Sequence, residues 1–105
     1  MNIFIFFEEE FKSIIHDMKS AGDLPADLDT SRVVFELPRE ASHGDLACNA
    51  AMVLAKPAGM KPRDLAEAIS AKIGEIAGVT SIEIAGPGFI NIRVEPRLWA
   101  REIDD

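Results

Sequence analysis

The sequence predicts a two-layer α+β domain in which helices pack on one face of a small antiparallel sheet. Three observations lead there: an amphipathic opening segment with helical spacing, further helix-forming stretches in the middle, and alternating segments on either side of them, the last two joined by a Gly-Pro-Gly turn. The length of 105 residues suffices for one hydrophobic core and not for a second independent unit. With 48% hydrophobic and 28% charged residues, neither disorder nor a membrane class is indicated.

Each element has a physical reason. If residues 1–20 are helical, Ile3, Phe4, Phe7, Phe11, Ile14, Ile15 and Met18 fall within about a third of the circumference, and Gly22 supplies the stop. Ile5 and Phe6 lie off that arc; they either touch something outside the domain or are tolerated surface groups. After Pro25 and an Asp-rich connection, residues 32–37 alternate, with Val33, Phe35 and Leu37 on the buried face and Arg32, Val34 and Glu36 opposite, until Pro38 ends the strand. Residues 39–44 read as a polar loop. The Ala-rich stretch 46–55 favours helix, residues 44–47 being also a candidate short extended piece, and Pro57 and Gly59 end it. Pro62 opens another helix at a first-turn position, carrying Leu65, Ile69, Ile73 and Ile76, with Gly78 closing it.

The remainder is a hairpin. Thr80, Ile82 and Ile84 alternate in one strand, Gly86-Pro87-Gly88 turns the chain, and residues 89–95 return. Ile90, Ile92 and Val94 form the inward set, so Phe89, Asn91 and Arg93 face the opposite, solvent side. Pro96 opens a last helix through Trp99 and Ile103. The chain closes on Asp104 and Asp105 without a packed conclusion, as expected of a segment cut from a longer protein.

The formal net charge of −7 argues against a domain that grips DNA or RNA chiefly by neutralising phosphates, so any nucleic-acid contact must be local. The single cysteine, Cys48, cannot form an intramolecular disulfide, and no Cys/His cluster has metal-ligand spacing. A reducing cytoplasm fits this usage. The apolar run 3–7 is too short for a secretory core or a membrane span and leads directly into Glu8, Glu9 and Glu10.

Phe89, Asn91 and Arg93, on alternate positions of one strand face, form a candidate base-reading set. The ring offers a stacking surface for an unpaired base, worth about 1–3 kcal/mol. The carboxamide combines a donor and an acceptor, the guanidinium suits a phosphate, and Gly86 and Gly88 leave room for another backbone. The alternative is a hairpin whose glycines merely make the turn, with Phe89 packed beneath the last helix. Ser42, His43 and Asp45 are groups found in hydrolytic sites, but closeness in sequence does not make a triad. Capping of the Ala-rich helix by Asp45 or Ser42 is the better reading. His16 reads as a surface residue and Cys48 as a small buried one near the start of that helix. No catalytic residue and no metal ligand is assigned.

Two strings carry a resemblance. Ala85-Gly86-Pro87-Gly88-Phe89-Ile90-Asn91, after Ile82-Glu83-Ile84, resembles the hairpin signature near the end of the N-terminal additional domain of arginyl-tRNA synthetases. His43-Gly44-Asp45-Leu46-Ala47, followed by Asn49, Ala50, Ala51 and Met52, is similar to that domain's second signature. Lys61-Pro62-Arg63-Asp64-Leu65-Ala66 is similar to its helix-opening segment. The resemblance implies that residues 1–105 are that domain, with the connection to a catalytic domain of the same chain beginning at about residues 96–105. It implies a parent class I arginine-tRNA ligase using ATP with Mg²⁺, whereas this segment has no cofactor of its own and is inactive alone. It implies contact with the D-loop at the elbow of tRNA(Arg), with Phe89 stacking, Asn91 meeting the base edge, and Gly86 and Pro87 shaping the approach. The competing expectation is a scaffold in which Ile5, Phe6 and Trp99 dock the catalytic body or a partner without base recognition.

Overall fold

Apolar side chains at helical spacing wind into α1 (Ile3–Ser20), which buries Ile3, Phe7, Phe11, Ile14, Ile15 and Met18 along one stripe and leaves Phe4 half-buried. The computed structural model describes residues 3–38 and 44–96. Gly22 ends the helix in a left-handed conformation, φ 84°, which lets the Asp23 N–H reach back to the Met18 carbonyl at 2.9 Å. Leu24 and Leu28 in the following connection are buried in the core, and Lys19 Nζ donates to the Leu28 carbonyl at 2.8 Å.

The alternating segment that follows forms a strand only at β1 (Phe35–Glu36). Phe35 is buried, its ring stacked on Phe7 with centroids 6.2 Å apart and edge-on to Phe11 at 5.7 Å. Leu37, expected on the same face, is instead 65% exposed. Pairing stops at Glu36, so nothing holds residue 37 in the pleat that would turn it inward.

The Ala-rich stretch also divides differently from its helical expectation. Leu46–Cys48 is strand β2, and helix α2 spans Ala50–Ala58. Central strand β4 (Phe89–Val94) needs backbone partners on both sides, and β2 supplies them on one, with Leu46 opposite Ile92, Ala47 opposite Asn91 and Cys48 opposite Ile90. Those pairings outweigh the local helix preference of alanine. Pro57 sits in the last turn of α2, and Gly59 at φ 70° closes it, the Met60 N–H meeting the Ala55 carbonyl at 2.9 Å.

Helix α3 (Pro62–Ile73) has proline at its first turn and buries Leu65, Ala66, Ile69 and Ile73. It ends at Ile73, earlier than the Ile76 spacing suggested, and Ile76 lies half-buried in the turn that follows. Strand β3 (Val79–Ala85) then pairs with β4, with an irregularity between Val79 and Ser81. The four-stranded sheet has the order β1-β2-β4-β3 and every pairing is antiparallel.

Register assigns the faces. Phe35, Cys48, Ile90 and Ile84 make one transverse row, and Leu46, Ile92 and Ile82 another, all on the side covered by the helices. Full burial of Leu46, Ile90 and Ile92 stabilises the fold by about 1.5–3 kcal/mol each, and Ile82 and Ile84 pack partly buried at the edge. The opposite face carries the row Glu36, Ala47, Asn91 and Glu83, which follows from the same pairings. The two-layer α+β architecture expected from sequence is thus the observed one.

Candidate nucleic-acid interface

The hairpin joining β3 and β4 is set by its glycines. Gly86, at φ 56°, and Gly88, at φ 143°, both occupy backbone regions that L side chains rarely adopt, and the Gly88 N–H closes the turn on the Ala85 carbonyl at 3.2 Å. Their surroundings differ. A Cβ on Gly86 would meet open space, whereas one on Gly88 would lie 3.3 Å from Pro62 Cβ and 3.5 Å from Ala51 Cβ. The turn therefore seats against the first turns of α2 and α3, with Gly86 and Pro87 exposed at its tip. On the other side of that contact, Arg63 Nη1 donates to the Gly86 carbonyl at 3.4 Å.

Beyond the turn, β4 presents its side chains alternately. Ile90, Ile92 and Val94 are buried against the helices, and register places Phe89 and Asn91 on the opposite face, paired with Ala85 and with Ala47 and Glu83. Phe89 is half-buried and Arg93 is exposed. Asn91 departs from the expected solvent position, being only 5% exposed. It occupies a central strand, hemmed by Ala47 and Glu83 across the sheet and by Phe89 and Arg93 along the strand, so the outward direction of its side chain does not bring wide exposure.

Gly44 and Asp45 do work that sequence reading assigned elsewhere. Asp45, expected to cap a helix, instead prolongs the β2–β4 pairing: its N–H donates to the Ile92 carbonyl at 2.8 Å and its Oδ2 accepts the Val94 N–H at 2.9 Å. Gly44, at φ 135°, lies against the same strand, where a Cβ would come within 3.0 Å of the Ile92 carbonyl oxygen. The two residues clasp β4 immediately beyond Asn91. The α2 cap position belongs to Asn49, which makes no side-chain capping bond; its Oδ1 accepts the Val34 N–H at 2.7 Å and so ties the approach to β1 to the start of α2. This long-range bond had no local signal in the sequence.

His16 is exposed on α1. Ser42, His43, Trp99 and Ile103 lie outside the described residues. Ile5 is 42% exposed, and Phe6 is half-buried edge-on to Phe7 at 5.2 Å. Burial pushes the Cys48 thiol up to about 12, partly countered by a backbone hydrogen bond from Ala50, so it is a poor nucleophile. The Ser31 backbone N–H, 2.9 Å from Asp29 Oδ1, holds that carboxyl below its ordinary range. An open recess of about 230 Å³ lined by Glu8, Phe11, Lys12, Thr30, Ser31, Val33 and Phe35 shares no residue with the hairpin. Among the described residues, no three His, Cys, Asp or Glu side chains gather as metal ligands, and no helix is long and apolar enough to cross a membrane.

The chain is 52% identical over its full 105 residues to an arginine-tRNA ligase of Parvibaculum lavamentivorans, covering 18% of that protein. It is 52% identical over 99 residues to the ligase of Xanthobacter autotrophicus, covering 94% of this chain and 17% of the relative. The chain thus spans less than a fifth of the length of these relatives. A crystal structure of arginyl-tRNA synthetase from Plasmodium falciparum shares the fold with a TM-score of 0.71 over 91% of this chain and 16% of that one, at 16% sequence identity. The family model described as the arginyl tRNA synthetase N terminal domain matches residues 6–94, and the chain belongs to that family.

Proposed function

We propose that residues 1–105 form the tRNA-recognition domain of an arginine-tRNA ligase, with the connection to the catalytic domain of the same chain beginning at about residues 96–105. The domain contacts an unpaired base of the D-loop at the elbow of tRNA(Arg) during ATP-dependent arginylation in the cytoplasm. The observation that carries this reading is the state of Asn91. Its carboxamide lies on the sheet face away from the helices, beside Phe89 on the same strand, and combines the donor and the acceptor that a base edge requires. Phe89, two residues earlier on the same face and half-exposed, is the stacking surface. Gly86 and Pro87 at the turn tip shape the approach, and Arg93 lies where a phosphate would follow. On this reading ATP and Mg²⁺ serve the catalytic domain of the parent ligase.

The test is steady-state aminoacylation by the complete ligase carrying this domain. Replacing Phe89 with Ala is expected to raise KM for tRNA by about 5- to 150-fold, the equivalent of one lost stacking contact, while KM for arginine and for ATP holds. An unaltered KM for tRNA in both Phe89→Ala and Asn91→Ala would refute the reading and leave the domain as a docking scaffold.

A further inference from the structure

The hairpin turn has basic neighbours that the base-reading face does not use. Lys61 is the extended residue at the α3 cap, φ −73° and ψ 141°, and Arg63 follows in the first turn; both are exposed. Between them Pro62 is the residue on which Gly88 sits, so the two cations bracket the contact between helix and hairpin. Arg63 turns one of its five donors to the Gly86 carbonyl, at a long 3.4 Å, which puts the head of the side chain beside the turn. Among the described residues neither cation is paired with a carboxylate, although Asp64 and Glu67 lie on the same helix. In a chain of net charge −7, two unpaired cations beside the candidate base-reading turn are a local exception to the overall acidity.

We propose that Lys61 and Arg63 hold a backbone phosphate of the RNA strand whose base meets Phe89 and Asn91, a contact that rests on the reading above and extends it to the sugar-phosphate chain. The remaining guanidinium donors of Arg63 and the mobile ammonium of Lys61 complement a phosphate from two sides. The contact with Gly86 brings the Arg63 guanidinium to the turn, within the neighbourhood of the proposed strand. This accounts for how an acidic domain engages RNA: one localised ion contact sets the strand, and the neutral face reads the base.

The two roles separate by salt dependence, measured as log kcat/KM for tRNA against log salt concentration in the complete ligase. The Lys61→Ala/Arg63→Ala double variant is expected to show a slope shallower than the parent by about 1, so that its deficit shrinks about 4-fold between about 50 and about 200 mM salt. Arg63→Lys retains the slope, because the charge remains. Phe89→Ala lowers kcat/KM by the same factor at every salt concentration. A deficit in the double variant that is constant with salt, or no deficit, overturns the phosphate contact; Lys61→Ala alone, which spares the Gly86 bond, must still flatten the slope. If Phe89→Ala is silent while the double variant flattens the slope, the base reading fails and the phosphate contact stands.

Discussion

The carboxylate of Asp45 accepts the backbone N–H of Val94 at 2.9 Å, joining the residue before β2 to the end of β4 across 49 positions of chain. With the Asp45 N–H on the Ile92 carbonyl, both ends of one residue hold the strand that carries Phe89 and Asn91. Replacing Asp45 with Ala leaves the Val94 N–H without this acceptor and is expected to cost about 1.5–3 kcal/mol in urea unfolding. Asn in its place keeps an oxygen at that position and loses less. Equal stability of Asp45→Ala and the parent would show that the clasp contributes nothing.

The two hairpin glycines answer differently to a methyl group. Gly86→Ala enters open space and bears only the left-handed backbone, a cost of about 1 kcal/mol. Gly88→Ala also presses on Pro62 and Ala51, and is expected to cost about 2–3 kcal/mol. Thermal melts of the two variants should therefore rank Gly88→Ala well below Gly86→Ala; the reverse order would contradict the seating of the turn on α3.

Cys48 links burial to pH. Its thiol is raised from 9.0 to about 12 in the fold, so the folded state favours the neutral form. The corresponding stability is fully present below about pH 9 and is lost as pH climbs through about 12. At neutral pH the native thiol is expected to react with a disulfide reagent only as fast as the domain opens, and promptly in denaturant. Rapid labelling without unfolding would place Cys48 outside the core.

Ser70 on α3 has a buried hydroxyl with no hydrogen-bond partner among the described residues. Ser70→Ala removes that unpaired group and raises helix preference, and is expected to stabilise the domain by about 0.5–2 kcal/mol in the same unfolding assay. A loss of stability would mean that the hydroxyl has a partner.

Much of this fold was legible because its strongest signals are periodic. The α1 stripe, the Leu65, Ile69 and Ile73 face of α3 and the inward set of β4 all follow from spacing, and all are buried. What escaped were interactions between distant segments. The short extended piece expected at residues 44–47 anticipated β2 in part, but Leu46, Ala47 and Cys48 have no alternation long enough to fix a strand, and their pairing with Ile92, Asn91 and Ile90 is what makes them one. Asp45 looked like a local cap because nothing in its neighbourhood announces Val94. Alternation likewise gave the face of Asn91 but not its exposure, which depends on Ala47 and Glu83 from other strands. The hairpin string was legible through resemblance as well as spacing, whereas Arg63 on Gly86 emerged only from the fold.

The central claim, that Asn91 and Phe89 meet a D-loop base, is tested most directly by a double-mutant cycle across the proposed contact. Aminoacylation kcat/KM would be measured for the parent ligase and for Asn91→Ala and Phe89→Ala, each with intact tRNA and with tRNA made abasic at one unpaired D-loop position at a time. At one position the protein and RNA changes are expected to be strongly non-additive, the residue substitutions costing little once the base is gone. Full additivity at every D-loop position would contradict the contact.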